Sequence, residues 1–435
     1  LPQSLKVRYS SFNPETGDEG IADMAGWSEG QWEPTVVGGV PRRDLRTGTY
    51  ARYVPDLLEA HPLTFDSTLA RKIADAERAV RALNTLGGGS LASIARFLLR
   101  SEAIASSRIE GVAPSAKQVA LAELGGREHV RGVSEQAQPV ANNMTVVREA
   151  TTALVAANDV TVDDIVALHR ALMPEDARHH GLRTVQNWIG GSDWHPIDAD
   201  FVPPPAELVR GLMSDLVDFI NGAAHSPLVQ AALVHAQFET IHPFTDGNGR
   251  VGRALIHTVL ARRGLTTTAI LPISLVLSTW RDRYVAGLVA YRYQGDPAEA
   301  ASIAGVRAWV STFVEAAESA ATQSADLAEK VEALRAAWST RVASTRESLG
   351  LRPTPRADSA SARLLQLLPE APVVTASTLQ QILGVSFPAA STALDELRQA
   401  GVVTTFKIER RATAYLATEV LDLITVAERQ GSLIE

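Results

Sequence analysis

The chain has 435 residues, 46% of them hydrophobic and 21% charged, and a formal net charge of −8. The length suggests roughly two to four domains, and the acidic balance argues against a global attraction to nucleic acid or anionic membrane. There is no cysteine, which excludes disulfides, thiolate metal sites and cysteine nucleophiles and agrees with a cytoplasmic location.

No apolar run reaches the roughly 18 residues that span a bilayer, so no membrane partner is expected. The opening residues lack an apolar signal core. Residues 1–85 read as an irregular wrapping segment, rich in Pro, Gly and Trp, followed by a helix. In 86–125, Leu91, Ile94, Phe97, Leu98 and Ile104 form a helix-period stripe. Residues 126–322 are mostly helical. Ser226 and Pro227 form a helix start, and Gly264 is a stop signal. Between helices lies "RTVQNWIGGSDWHPIDADFVPPP" (183–205), whose Gly-Gly pair and Pro run predict an exposed β-hairpin or flap.

Residues 323–357 read as a connecting helix and a linker. Leu327, Val331, Leu334, Trp338 and Val342 give the helix one apolar face, which either packs on its own chain or forms a homodimer contact. Pro353 and Pro355 break the helix. Residues 358–435 predict three helices and an alternating two-stranded wing, resembling a winged helix-turn-helix. Its third helix carries only Arg398 against Asp395 and Glu396, and residues 358–435 hold nine acids and six bases. Lys407, Arg410 and Arg411 on the wing could reach one backbone. This is a weak footprint for DNA, so a structural or protein-contacting role is favoured.

The densest chemistry is "HPFTDGNGRVGR" (242–253). Gly247 and Gly249 flank Asn248 ahead of a helix pattern, so backbone N–H groups can converge on an anion. Arg250 and Arg253 are neighbours on one helix face and suit phosphate oxygens. Asp246 is a single carboxylate, as in sites where Mg²⁺ is shared with substrate phosphates. A neutral His242 can accept a proton near pH 7. Together they describe transfer of a phosphate-containing group to a nucleophile that carries a proton. His235, Glu239 and His242 share a helical spacing that could offer a metal face, but His242 is already committed to the loop.

This stretch resembles the Fic signature, HPFxDGNGRxxR, at every signature position. "HAQFETI", the flap and "RDRYVAGL" are also similar to Fic proteins, over roughly residues 80–320. The resemblance implies a mainly α fold with a small β-hairpin flap. It also implies transfer of AMP from ATP, with Mg²⁺, to a Ser, Thr or Tyr hydroxyl of a protein, which can be the chain itself. By position, His242 would deprotonate the target, Asp246 would hold Mg²⁺, and Gly247, Asn248 and Gly249 would cradle phosphates. Arg250 would meet the β-phosphate and Arg253 the γ-phosphate. Phe244 would anchor the loop. Gln186, Asn187, Trp188, Ile189 and Gly190 would form the target flap, and Tyr284 is the candidate for an adenine pocket.

"SSRIEG" (106–111) resembles the family's inhibitory motif at Ser106, Glu110 and Gly111. A carboxylate there would compete with the γ-phosphate for Arg253, although a plain helix end capped by Gly111 fits as well. Two alternatives stay open. One is a hydrolase that removes AMP, with Glu110 activating water. The other is a nucleotide-sensing regulator that binds DNA.

Overall fold

The computed structural model describes residues 25–34, 41–58, 63–84, 94–125, 134–267, 270–408 and 413–430. In chain order these form β1 (Gly26–Trp32), β2 (Gly48–Val54), α1 (Ser67–Leu83), α2 (Ala95–Ile109), α3 (Ala116–Gly125), α4 (Ala137–Ala156) and α5 (Val162–Leu172). Next come α6 (Val209–Asn221), α7 (Pro227–Ile241), α8 (Asn248–Arg262), α9 (Ile273–Thr279), α10 (Arg281–Tyr291) and α11 (Ala300–Ser348). The chain then adds α12 (Ala360–Leu367), β3 (Val373–Val374), α13 (Ala376–Leu383), α14 (Phe387–Gln399), β4 (Thr404–Lys407), β5 (Thr413–Leu416) and α15 (Thr418–Gln430). The fold is mainly α, as expected.

Two compact units emerge, each from separated stretches of chain. The first takes the described residues up to 73, 156–259 and 282–314. Its centre is α7, in which every residue is buried. Its polar side chains find partners inside the unit: Gln230 donates to Phe219 O, Gln237 to Asp56 O and Thr240 to Ala236 O. Ser226 in extended geometry and Pro227 at the first helical position start it. α5 starts with a capping box, in which Thr161 and Asp164 exchange side-chain and backbone hydrogen bonds. α6 buries Leu212, Met213, Leu216 and Ile220 on one face. Trp309 of α11 is fully buried and donates its indole N–H to the Ala232 carbonyl at 2.7 Å, which seats α11 on α7.

Residues 26–54, expected to be irregular, instead contain an antiparallel pair, β1 against β2, with Gly26 opposite Val54 and Trp32 opposite Gly48. Tyr53 closes this pair onto the unit: its N–H bonds to Val202 O and its hydroxyl to Tyr293 O. Trp27, Tyr53 and Phe201 pack edge to face or tilted beneath it.

The second unit takes the described residues of 74–155, 260–281 and 315–435. Within it, α2 is buried from Ser101 to Ser107, and the Glu102 carboxylate accepts from the Ser274 N–H and hydroxyl at the start of α9. A buried charge cluster joins its helices. Arg100 Nε meets Glu123 Oε2 at 2.6 Å, Arg96 Nη2 meets Glu123 Oε1 at 2.9 Å, and Arg100 Nη2 donates to Glu370 O at 3.0 Å. Burial would raise the Glu123 carboxyl, but the two arginines outweigh it and keep its pKa below the ordinary value.

The C-terminal part runs helix, strand, helix, helix, strand, strand, helix, with sheet order β3-β5-β4. Ser359, Thr375 and Ser386 each cap a helix with a side-chain oxygen. Trp338 and Arg341 of α11 both bond Glu419, and Arg346 bonds Glu396. The apolar face of α11 therefore packs on its own chain here. Wing residues Arg410 and Arg411 lie outside the described residues. No helix among the described residues is long and apolar enough to cross a membrane.

Candidate active site

α7 ends at His242, which adopts φ 50, ψ 60. Among the described residues it is the only non-glycine with positive φ. A side chain in this region costs on the order of 1–3 kcal/mol and persists only where the surroundings determine it. The His242 N–H bonds to Phe238 O at 2.9 Å. Its carbonyl accepts from Arg183 Nε at 2.9 Å and Asn187 Nδ2 at 3.2 Å. The imidazole is half-buried.

The loop that follows is stapled from three sides. Phe244 is fully buried. The Asn248 side chain both accepts from the Phe244 N–H at 2.8 Å and donates to the Phe244 carbonyl at 2.7 Å. Asn187 Nδ2 donates to the same carbonyl at 2.8 Å. From α5, His169 stacks on the Phe244 ring and donates from Nε2 to Asp246 O at 3.0 Å. Burial lowers the His169 pKa to about 4, so the ring is neutral near pH 7.

Asp246 is exposed, as is Thr245 before it. Its Oδ1 accepts from the Gly247 N–H at 2.6 Å and lies 3.9 Å from Arg250 Nη2. Gly247 has φ 77, which a glycine supplies without strain. Asn248 and Gly249 open α8, where the first N–H groups have no partner within the helix. Arg250 and Arg253 point inward from α8 and are 6% and 1% exposed. The positive charge of Arg253 is felt at His235, whose pKa falls to about 3, first through burial and then through that charge. Gly252 lets α8 lie against α7: a Cβ there would sit 2.6 Å from Glu239 Oε1 and 2.8 Å from Phe238 Cδ1.

The flap is less of a hairpin than expected. One antiparallel bridge joins Ile189 to Phe201, closed through Gly190 and Gly191, both at φ 73. Its residues divide by role. Asn187 faces inward onto the loop, Gln186 bonds Pro203 O at 3.0 Å, and Trp188 donates to Ser192 O at 2.7 Å while packing on Trp32. Val185, Ile189 and Trp194 are exposed.

Tyr284, expected near a base pocket, is buried, and its hydroxyl meets His235 Nε2 at 2.9 Å. His235 is a core histidine held through Nε2, and among the described residues no group of three or more His, Cys, Asp or Glu could hold a metal. Ser106, Glu110 and Gly111 lie in the second unit. Ser106 is buried, Glu110 ends α2 at an exposed position, and Gly111 at φ 80 caps it with a bond to Arg108 O at 2.9 Å.

Sequence reading assigned no role to Arg183 or His169. Arg183 opens the flap stretch, and a lone arginine carries no signal that it will be buried among carbonyls. His169 sits on an apolar helix face, where a histidine is an ordinary core residue.

Residues 159–260, which contain this loop, the flap, His169 and Arg183, match the family model described as the Fic/DOC family. The chain carries a Fic/DOC domain. Ser106, Glu110, Gly111 and Tyr284 fall outside the matched residues. A protein adenylyltransferase of Caenorhabditis briggsae is 30% identical over 136 residues, 30% of this chain and 25% of that protein. A probable protein adenylyltransferase of Aquifex aeolicus is 39% identical over 79 residues, 18% of this chain and 25% of that protein. The chain thus spans about a quarter of the length of these relatives. A Fic family protein from Desulfovibrio desulfuricans aligns over 82% of this chain and 98% of its own, at 22% identity and a TM-score of 0.49.

Proposed function

We propose that the chain is an autoinhibited protein adenylyltransferase. It transfers AMP from ATP to a Ser, Thr or Tyr hydroxyl of a protein, which can be the chain itself, and releases pyrophosphate. The observation that carries this reading is the complete loop from His242 to Arg253, with a histidine fixed at one end and a helix N-terminus with two inward arginines at the other.

In the proposed step the target hydroxyl oxygen attacks the α-phosphorus. The bond from that phosphorus to the oxygen bridging the α- and β-phosphates breaks, and pyrophosphate departs with the electron pair. The proton of the hydroxyl goes to His242, as in general-base catalysis. Asn248 and Gly249 offer backbone N–H groups to the phosphates, and Gly247 joins them when its N–H leaves the Asp246 carboxylate; the Asn248 side chain is already engaged with Phe244. Arg250 and Arg253 supply the positive charge for the β- and γ-phosphates. The single exposed carboxylate of Asp246 suits Mg²⁺, which keeps several waters and shares substrate phosphates rather than needing a protein cage. When bound, that ion would offset phosphate charge.

The flap from Gln186 to Gly190 is the candidate for lining up the target segment by strand-like pairing, through backbone groups other than those Ile189 exchanges with Phe201. Ser106, Glu110 and Gly111 at the end of α2 act as the inhibitory element, so Glu110→Gly raises transfer. We read the C-terminal part as a winged helix with a protein-contacting role. Arg398 pairs with Asp395 at 3.4 Å, while Phe387 and Phe406 are exposed. That surface is a poor match to DNA phosphates.

The deciding experiment labels ATP at either the α- or the γ-phosphate and follows the protein fraction with the Glu110→Gly variant. The reading requires the α-label in protein and the γ-label in pyrophosphate. Protein that retains the γ-label would show phosphoryl transfer and end the adenylyl reading.

A further inference from the structure

We propose that Arg183 is a positioning residue of the transfer reaction, a single buried guanidinium that sets the catalytic histidine and both legs of the flap in one register. The inference rests on the adenylyl-transfer reading above. Arg183 is 4% exposed. Its Nε donates to His242 O at 2.9 Å, Nη1 to Val185 O at 3.2 Å, and Nη2 to Pro204 O at 2.5 Å and Ile241 O at 3.3 Å. Its own N–H donates to Pro243 O at 2.8 Å. Val185 and Pro204 are the two chain segments from which the flap leaves the body of the unit. Ile241, His242 and Pro243 are the turn that carries the general base.

The arrangement has a chemical logic. A carboxylate partner would neutralise the guanidinium through one contact and leave the carbonyls to find other donors. Here the planar fork reaches four carbonyls from three chain segments at once, which an ammonium on a flexible stem cannot do. Burial lowers its pKa to about 10, partly offset by the charge of Glu207, so it stays protonated near neutral pH. One of the carbonyls it binds belongs to His242, among the described residues the only non-glycine at positive φ. Asn187 completes the grip, donating to His242 O at 3.2 Å and Phe244 O at 2.8 Å. A target segment laid on the flap and the base that must reach its hydroxyl are thereby referred to the same side chain.

The test uses the full chain carrying Glu110→Gly as parent and measures steady-state AMP transfer, ATP affinity and thermal melting. In Arg183→Lys, which keeps the charge, kcat falls about 100-fold, the scale of a misplaced reacting group, while ATP affinity stays within about threefold. Activity of Arg183→Ala returns in part on adding methylguanidinium, and that of His242→Ala does not. Asn187→Ala, which removes two hydrogen bonds and keeps the guanidinium, loses about tenfold in kcat and tests the same grip if the arginine variants fail to fold. An active parent with an unchanged Arg183→Lys overturns the positioning role alone. So does a loss that follows melting and ATP affinity and ignores methylguanidinium. A parent that transfers no AMP overturns the reaction itself, and the positioning role with it.

Discussion

The imidazole of His169 lies flat against the ring of Phe244, with centroids 3.9 Å apart and planes 9° from parallel. The same imidazole donates to Asp246 O, so one neutral histidine joins the buried anchor of the loop to its exposed carboxylate residue.

A pH dependence follows from this contact. Burial holds the folded pKa of His169 near 4, below the value of about 6.5 in an unfolded chain. The unfolded state therefore binds more protons between those values, and stability falls as the pH drops from about 6.5 toward 4. By pH 5 the loss is about 2 kcal/mol from this group. His169→Gln keeps a donor for Asp246 O and removes the titration. It is expected to melt lower than wild type at pH 7 yet to lose less on acidification, as thermal melts across pH 7 to 5 would show. His235, depressed to about 3, supplies acid sensitivity that remains in the variant.

Gly252 tests how closely α7 and α8 must approach. An added methyl would meet Glu239 Oε1 at 2.6 Å, Phe238 Cδ1 at 2.8 Å and His235 Nδ1 at 3.4 Å. Gly252→Ala should cost about 1–3 kcal/mol in stability by overpacking. Transfer should also drop, because α7 carries His242 and α8 carries both arginines. A melt and an initial rate on the same preparation are sufficient.

In the second unit, Arg100 and Glu123 form a buried pair, with side chains 2% and 11% exposed. Arg100→Met leaves Glu123 with only the more exposed Arg96 and should destabilise by about 3–5 kcal/mol, measured by denaturant unfolding. Adding Glu123→Leu should recover part of that loss, because no uncompensated charge then remains inside.

Much of the site could be read from the chain because its chemistry is local. Asp246, Gly247, Asn248, Gly249 and Arg250 are adjacent in sequence, and the turn they make depends on short-range backbone geometry. The helices were legible through their periodicity, as in α2, or through strong punctuation, as at Ser226 and Pro227. What stayed hidden depends on distant partners. Arg183 and His169 gain their roles only when the fold brings carbonyls and the Phe244 ring to them. β1 and β2 were missed because two seven-residue strands are separated by a long connection and contain glycines that weaken the alternating pattern. Asn187 belongs to the flap, and its amide turns inward to Phe244 O, a choice set by the loop opposite rather than by its neighbours. Tyr284 is expected at a base pocket by position alone, and the sequence gives no sign that its hydroxyl meets His235 Nε2 from another helix.

The most direct measurement of the central claim is AMP incorporation from α-labelled ATP with Mg²⁺ into the proteins of a cell extract. The comparison is between Glu110→Gly and Glu110→Gly combined with His242→Ala. The account predicts labelled protein with the first and a loss of about 10²- to 10⁴-fold with the second, the usual scale for removing a general base. Equal labelling by the two proteins would contradict it.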